Sequence, residues 1–311
     1  MRVIITGGTG LIGKALANSL AKDGHEIVII SRNKNKTSGL PAGARIEQWD
    51  GRTAAGWGHL ADGAGAIVNL AGESIAGEGF PPKRWTPARK KLILESRLNA
   101  AQAVVEAIQA AAQKPGVLIQ ASAVGYYGPH GDEALTEESP GANDFLAGVV
   151  KQWESATAEV EKMGVRRAIL RTGIVLSTKG GVLPLLSLPF KLFVGGKIGS
   201  GKQQMSWIHI DDLIAATKFL IETPTANGVY NLTAPNPVNN AQMATALGRA
   251  LGRPSFFPTP GFPFKIAFGE LGDSLLLTGQ RVMPKRLQEA GFQFHYPEVE
   301  GALKDLFSKG K

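Results

Sequence analysis

Short apolar runs alternate with longer amphipathic stretches through the first half of the chain. The short runs have the composition of strands, and the stretches between them space their apolar positions as helices do. The predicted strands are 3–6, 27–30, 45–49, 66–70, 117–122 and 167–171. The predicted helices are 11–22, 87–112 and 143–163. Because strands that alternate with helices form parallel βαβ units, we expect an α/β fold with a doubly wound parallel sheet.

The second half of the chain has a different pattern. Residues 180–201 are rich in Gly, Pro and Leu without clear periodicity, which predicts a loop or cap beside the site. A strand at 206–210, a helix at 211–222 and a strand at 228–232 are predicted to return to the first domain. From about residue 238 the pattern is mostly helical. We predict a large domain over 1–235, with a cap insertion at about 175–205, and a smaller, mostly helical cap or substrate domain over 236–311.

The composition narrows the class of protein. The hydrophobic content of 43% is typical of a globular protein, and no apolar run approaches the roughly 20 residues of a membrane helix, so no membrane partner is expected. Because Met1 and Arg2 lead straight into a strand, we expect no signal peptide and a cytoplasmic location. The absence of cysteine excludes disulfides and thiol catalysis, and the five histidines lack metal-ligand spacing, so no metal site is predicted.

The chain is basic, with a formal net charge of +8. Its lysines and arginines are spread along the sequence, which favours a solvated basic face that attracts an anionic substrate over nucleic-acid binding. No nucleic-acid partner is therefore expected. The oligomeric state stays open, a homodimer included.

A glycine-rich turn joins the first strand to the first helix. Gly7 permits the tight turn, Gly10 lets a pyrophosphate approach the backbone, and Gly13 lets the helix pack closely on the strand. The start of the helix adds N–H donors and a partial positive charge. This strand-turn-helix context predicts a Rossmann-type dinucleotide site. The residues of the turn expected to bind the cofactor are Gly7, Thr9, Gly10, Leu11, Ile12 and Gly13.

The end of the second strand indicates which dinucleotide binds. An acidic residue there would bind the ribose 2′-hydroxyl of NAD, but Ser31 and Arg32 occupy the place. Arg32 can form charge-assisted hydrogen bonds with a 2′-phosphate, so NADP (NADPH) is predicted and NAD is less favoured. Asp50, at the end of the third strand, is either an acceptor for the adenine amino group or an ordinary turn residue.

After the fourth strand, Leu70, Ala71 and Gly72 are small enough in combination to let the backbone lie against the dinucleotide. Together with the glycine turn, this segment and four later ones resemble the short-chain dehydrogenase/reductase superfamily, in its extended, epimerase-like branch. The match narrows to an atypical "epimerase family" subgroup with a small C-terminal domain, some of whose relatives are described as cell-division inhibitors. The matching segments are NLAGESI at 69–75, ASAVGYYG at 121–128, MSWIHIDD at 205–212, LGRP at 251–254 and GQRV at 279–282.

The superfamily's usual Tyr-x-x-x-Lys catalytic pair is missing. The lysine place on the matching helix falls on Val149 or Val150, and Lys151 is out of register. The place of the superfamily's serine or threonine holds Ala123, and Arg97 stands where an asparagine is usual. Any activity must therefore use other groups.

Polar residues at the expected carboxyl edge of the sheet are the candidates for those groups. Ser122 and Tyr126 are the predicted catalytic residues, each with a structural role as the alternative. Tyr127 and His130 lie nearby and are read mainly as structural or exposed. Three charged residues are predicted to face the substrate: Glu73, Arg97 and Arg171.

The resemblance implies an NADP-dependent oxidoreductase or epimerase-like enzyme for a small polar substrate. The missing Tyr and Lys imply an alternative, a non-catalytic dinucleotide-binding regulatory protein linked to cell division.

Overall fold

The computed structural model describes residues 1–77, 79 and 81–308. The strands are β1 (Arg2–Thr6), β2 (Glu26–Ser31), β3 (Arg45–Gln48), β4 (Ala66–Asn69), β5 (Val117–Ala123), β6 (Ala134–Leu135), β7 (Arg166–Thr172), β8 (Ile174–Leu176), β9 (Gln204–Met205), β10 (Trp207–His209), β11 (Gly228–Leu232), β12 (Val238–Asn239) and β13 (Arg281–Val282). The α-helices are α1 (Leu11–Lys22), α2 (Pro87–Ala110), α3 (Phe145–Ser155), α4 (Glu159–Lys162), α5 (Leu183–Lys191), α6 (Ile210–Glu222), α7 (Asn240–Leu251), α8 (Phe262–Phe268), α9 (Glu270–Gly272), α10 (Lys285–Glu289) and α11 (Val299–Ser308). Short 3₁₀ turns cover Gly58–Ala61 and Val124–Tyr127, and a π turn covers Asp273–Leu277.

Seven parallel strands form the central sheet, in the order β3-β2-β1-β4-β5-β7-β11. The predicted doubly wound sheet is confirmed, and β11 forms its edge beside β7. The strand order reverses between β1 and β4, and the crossovers leave a crevice beyond the carboxyl ends of these two strands. The fold thus places the glycine turn and the end of β4 at the position where α/β proteins bind ligands.

Helices cover both faces of this sheet. Within β1, Val3 and Ile5 face the layer of α1 and α6, whereas Ile4 faces the layer of α2. All three side chains are fully buried. Because both faces are covered, β1, β2 and β4 are nearly continuous apolar runs, whereas the edge strand β3 is polar and partly exposed.

The predicted helix over 143–163 is two helices, α3 and α4. Arg167, from β7, explains the break: its Nη1 donates to the Glu154 carbonyl oxygen at 2.7 Å and to the Thr157 hydroxyl at 3.2 Å. The Ala158 N–H, which would bond that carbonyl in a continuous helix, bonds the carbonyl of Ser155 instead.

The prediction of a loop over 180–201 is wrong for nine of its residues, which form α5. Pro184 lies in the first turn, where a missing N–H costs nothing, and Pro189 lies inside the helix. The helix forms because Leu183, Ser187 and Phe190 bury one face, and it packs on α7. The predicted strand at 206–210 forms β10, but it pairs with β8 outside the central sheet.

The C-terminal helices share a core with the sheet. Leu247 of α7 and Leu303 of α11 belong to the apolar cluster that contains Val3 and Ile5. The buried carboxylate of Asp212, at the start of α6, accepts hydrogen bonds from the N–H groups of residues 295 and 296, each at 2.9 Å. The mostly helical character of this region is confirmed, while the boundary near residue 235 stays a prediction. Among the described helices, none is both long and apolar enough to cross a bilayer.

Candidate functional site

The glycine turn after β1 has no room for side chains at two of its positions. Gly7 has a φ of +68°, and a Cβ there would lie 2.9 Å from the carbonyl carbon and oxygen of Leu70. A Cβ on Gly13 would lie 2.5 Å from the Gly8 Cα and 2.6 Å from the Gly7 oxygen. The turn is therefore folded tightly against both the end of β4 and the first turn of α1.

The start of α1 is open to a ligand. Gly10 is the N-cap residue, and no side chain caps the helix. The first N–H groups of a helix have no partner within it and favour an anion. A Cβ on Gly10 would meet only the Gly7 oxygen, at 3.3 Å, so the glycine leaves a shallow cradle above the turn. The residues present fit a bound diphosphate.

Replacing Gly13 with alanine is expected to lower the free energy of unfolding by about 1–3 kcal/mol, because the new Cβ has to displace the backbone of the turn. A dinucleotide held by that turn should bind correspondingly more weakly. Gly148→Ala in α3 is the matched control, since no atom lies within 4 Å of its added Cβ. That control should be neutral or slightly stabilising. Urea denaturation of both variants tests the prediction, and equal effects would contradict it.

The residues after β2 have different partners. Ser31 is buried, and its hydroxyl accepts from the Asn33 N–H at 3.2 Å. Arg32 is exposed, and its aliphatic stem lies close to Gly51. No described residue accepts a hydrogen bond from its guanidinium or pairs with it. Its charge is thus available to an anion at the edge of the crevice.

Asp50 organises its own turn. Its Oδ1 accepts from the N–H groups of Arg52 and Thr53, and its Oδ2 accepts from the Thr53 hydroxyl. These hydrogen bonds, with those to the backbone first, lower the pKa of the Asp50 carboxyl. The geometry matches the ordinary turn aspartate that was the alternative for this residue, and its contact with adenine stays a prediction.

A buried polar chain crosses the ends of the central strands. The Thr6 hydroxyl donates to Asn69 Oδ1 at 2.6 Å, and Asn69 Nδ2 donates to Gln120 Oε1 at 2.9 Å. All three side chains are fully buried and stand in one row across β1, β4 and β5. These hydrogen bonds fix the strand ends from which the site residues project.

Two predicted substrate residues, Glu73 and Arg97, lie together after β4. Glu73 Oε1 pairs with Arg89 Nη1 at 3.0 Å, and Arg97 Nη1 donates to the Glu73 carbonyl oxygen, also at 3.0 Å. The Arg97 guanidinium stacks on Trp153 and lies against Gly72. Burial lowers the pKa of Arg97 to about 10, against the attraction of Glu73, so it stays cationic at neutral pH.

Glu154 of α3 joins two other predicted site residues. Its Oε1 accepts from the Ser122 hydroxyl at 2.6 Å and from Arg171 Nε at 2.8 Å, and its Oε2 accepts from Arg171 Nη2 at 2.9 Å. Burial alone would lower the pKa of Arg171, but the hydrogen bonds and charge of Glu154 outweigh burial and raise it. Both partners are largely shielded from solvent, with 5% and 11% of the Arg171 and Glu154 side chains exposed.

Arg171 also holds two tyrosines. Its guanidinium carbon lies 3.3 Å from the centre of the Tyr126 ring, and Nη1 donates to the Tyr127 hydroxyl at 3.1 Å. Tyr127 is fully buried and donates to Asn231, so it is structural. Tyr126 is half-buried, and its hydroxyl has no hydrogen-bond partner among the described residues.

Lys151 of α3 lies near Tyr126, although the two residues belong to different elements. A Cβ on Gly141 would lie 2.6 Å from Tyr126 Cζ and 2.8 Å from Lys151 Cε, so both side chains lie against this glycine. The Lys151 ammonium donates to the Gly141 carbonyl and to Asn143. Its place in the sequence is out of register, yet the fold brings it beside the phenol.

An open cleft of about 590 Å³ lies beyond the two tyrosines. Its walls are residues 129–133, Lys202, Gln203 and residues 277–279. His130 contributes its ring, which pairs with Glu133 at 2.6 Å, and that hydrogen bond lowers the pKa of Glu133. The lining mixes polar and charged residues with Pro129 and Leu277, and it brings residues 129–133 close to residues 277–279.

Comparison with known proteins gives a consistent match. A sequence model described as the NAD dependent epimerase/dehydratase family matches residues 3–233, and one described as a domain of unknown function (DUF1731) matches residues 259–306. The chain is 40% identical to "Epimerase family protein SDR39U1 homolog, chloroplastic" of Arabidopsis thaliana, over 98% of this chain and 86% of that protein. It is 39% identical to "Epimerase family protein YfhF" of Bacillus subtilis, over 100% and 99%.

Solved structures agree with this match. A human epimerase family protein, SDR39U1 isoform 2, crystallised with NADPH, superimposes with a TM-score of 0.85 and 36% identity over 99% of both chains. A nucleoside-diphosphate sugar epimerase from Corynebacterium glutamicum gives a TM-score of 0.78 at 36% identity, over 99% of this chain and 58% of that one. The UDP-glucose 4-epimerase of Thermus thermophilus, at 18% identity and a TM-score of 0.79, shares the fold.

Proposed function

Since the chain belongs to the NAD dependent epimerase/dehydratase family, we propose that it is an NADPH-binding oxidoreductase or epimerase-like enzyme that acts on a small polar substrate. The observation that carries the proposal is the open start of α1 above the glycine turn, with the unpaired guanidinium of Arg32 after β2. The human relative crystallised with NADPH supports the choice of dinucleotide.

In this proposal the backbone of the glycine turn and Leu70–Gly72 holds the dinucleotide, with Ser31 and Arg32 at its 2′-phosphate and Asp50 near its adenine. Bound NADPH supplies hydride-transfer chemistry. Thr9, Leu11 and Ile12 complete the turn around the diphosphate.

Tyr126 is the proposed general acid. Its free hydroxyl donates a proton to a substrate oxygen, and the Arg171 guanidinium against the ring holds the phenol in place. In this proposal Lys151 is the cation beside the ring, since its Cε and Tyr126 Cζ both lie close to the Cβ position of Gly141. Two residues from separate elements would then do the work that a Tyr-x-x-x-Lys helix does elsewhere in the superfamily.

Ser122 has a different proposed role. Its proton is committed to Glu154, so its oxygen accepts a hydrogen bond from a substrate hydroxyl. Glu73 and Arg97, after β4, are the other proposed substrate contacts. Arg171, which is 4% exposed, is a positioning residue in this scheme.

One observation favours the non-catalytic alternative. Val149 and Val150, at the usual lysine place, are buried in the core and offer no cation to the crevice. The alternative keeps NADPH binding and dispenses with turnover.

Two measurements test the proposal. Fluorescence titration should show NADPH binding, and a panel of carbonyl compounds and nucleotide sugars should reveal oxidation of NADPH or epimerisation. Failure to bind excess NADPH would overturn the proposal. Tight binding with no turnover across the panel would favour the regulatory alternative.

A further inference from the structure

Two long stretches of the chain carry no acidic residue. No Asp or Glu lies between Glu161 and Asp211 or between Glu222 and Glu270, whereas both stretches contain lysine and arginine. Outside them, acidic residues outnumber basic ones. The net positive charge of the chain is therefore concentrated in these two stretches.

Helix α5, in the first stretch, is apolar on both faces. Its inner face buries Leu183 and Phe190. On the outer face, Leu185 and Leu188 are 38% and 45% exposed, and Leu192, just after the helix, is 63% exposed. A helix at the surface of a globular protein usually turns polar residues outward, so this outer face lacks its usual composition.

The second stretch continues the same surface. The Phe257 N–H donates to the Gly195 carbonyl at 3.1 Å, and the Thr259 N–H donates to the Lys197 carbonyl at 2.9 Å, which lays the two segments side by side. Beyond them, Phe256 and Ile266 are 73% and 67% exposed. We call this region the α5–α8 surface. Its large exposed apolar residues include Leu185, Leu188, Leu192, Phe256, Phe262 and Ile266.

Phe193, two residues before Gly195, has an unusual backbone conformation. Its φ of +63° is in the left-handed region, which a bulky residue rarely adopts. More than half of the side chain is exposed, and the Arg253 guanidinium lies 4.2 Å from the centre of its ring. The strained backbone thus presents the Phe193 ring outward with the Arg253 guanidinium against it. Backbone strain of this kind often occurs at functional sites.

Exposed cations border this apolar surface. Lys191, Lys197 and Arg253 are exposed, and none of them has an ion-pair partner among the described residues. Large apolar side chains flanked by unpaired cations, with no acidic residue in either stretch, are complementary to lipid headgroups of negative charge above an apolar interior.

We propose that the α5–α8 surface docks on an anionic lipid membrane. This is attachment to one face of the bilayer, so it needs no spanning helix, and it differs from the expectation of no membrane partner, which rests on the lack of a long apolar run. A second copy of the chain is a poorer occupant, because a twofold contact through this surface would bring the same cations face to face. The proposal is independent of NADPH binding.

Sedimentation of the full chain with vesicles tests the proposal. We expect binding to phosphatidylcholine vesicles that contain phosphatidylglycerol, and weak binding to pure phosphatidylcholine. The charge variant Lys191→Glu/Lys197→Glu/Arg253→Glu should bind at least about tenfold more weakly. The matched control Lys22→Glu/Lys162→Glu/Lys304→Glu makes the same change of net charge at exposed residues elsewhere, and it should stay within about threefold of the parent.

The apolar contribution needs its own pair of variants. Leu192→Gln/Phe256→Gln/Ile266→Gln should lose at least about tenfold in vesicle binding, whereas Leu192→Met/Phe256→Leu/Ile266→Leu should retain it. An unchanged midpoint of urea denaturation would show that each variant is folded.

Five results would overturn the proposal. Four of them are no binding of the parent to the anionic vesicles, an equal loss in the charge control, undiminished binding by the glutamine variant, and a parent dimer that the glutamine variant converts to a monomer. Binding to soluble polyglutamate as tight as to the vesicles would assign the surface to an acidic protein, and would overturn it too.

Discussion

Glu154→Ala is expected to lower the free energy of unfolding by about 3–5 kcal/mol, among the largest effects of any single substitution in this chain. Glu154 takes both hydrogen bonds of a bidentate pair from Arg171, whose side chain is 5% exposed. Removing the carboxylate leaves a buried guanidinium charge without a counter-ion. It also frees the Ser122 hydroxyl, which donates to the same carboxylate.

Urea denaturation measures this loss. Glu95→Ala is the matched control, because Glu95 forms an exposed ion pair with Lys91 and should contribute less than about 0.5 kcal/mol. The double variant Glu154→Leu/Arg171→Met should recover most of the stability, since it removes both charges together. A cost for Glu154→Ala no larger than that of the control would show that the pair is not buried in solution.

Tyr126→Phe is expected to reduce kcat by about 100-fold or more on whichever substrate the panel identifies. The change removes only the proposed acid, since the Tyr126 hydroxyl has no hydrogen-bond partner among the described residues. The ring and its contact with Arg171 remain, so the stability and the Kd for NADPH should change little.

Tyr230→Phe provides the comparison for this variant. Tyr230 is buried in β11 at the edge of the sheet, away from the crevice between β1 and β4. The kcat of Tyr230→Phe should stay within about twofold of that of the parent. If Tyr126→Phe kept the parent kcat as well, another group would have to supply the proton.

The inner strands of the sheet were predictable because they are buried on both faces. Short continuous apolar runs such as 27–30 are typical of buried strands. Their alternation with helices predicts parallel pairing. Helix α5 was not predictable by periodicity, because two prolines conceal it and both of its faces are apolar.

The site was predictable only where its residues lie close together in the sequence. The glycine turn is local in sequence, so its spacing reveals it. Glu154 lies 32 residues from Ser122 and 17 from Arg171, and no spacing rule links the three. In the sequence, Glu154 stands out only as a polar residue on the apolar side of the predicted helix over 143–163. Lys151 is out of register for a Tyr-x-x-x-Lys pair on that helix, whereas the fold brings it near Tyr126 beside Gly141.

The coenzyme preference of Arg32→Asp tests the central claim most directly, namely that the glycine turn and this arginine hold a dinucleotide with a 2′-phosphate. Titration with NADPH and NADH should show that the parent prefers NADPH. The variant should lose at least about tenfold in NADPH affinity while NADH binding stays the same or improves, because a carboxylate repels the phosphate and accepts from a ribose hydroxyl. An unchanged ratio of the two dissociation constants would contradict the account.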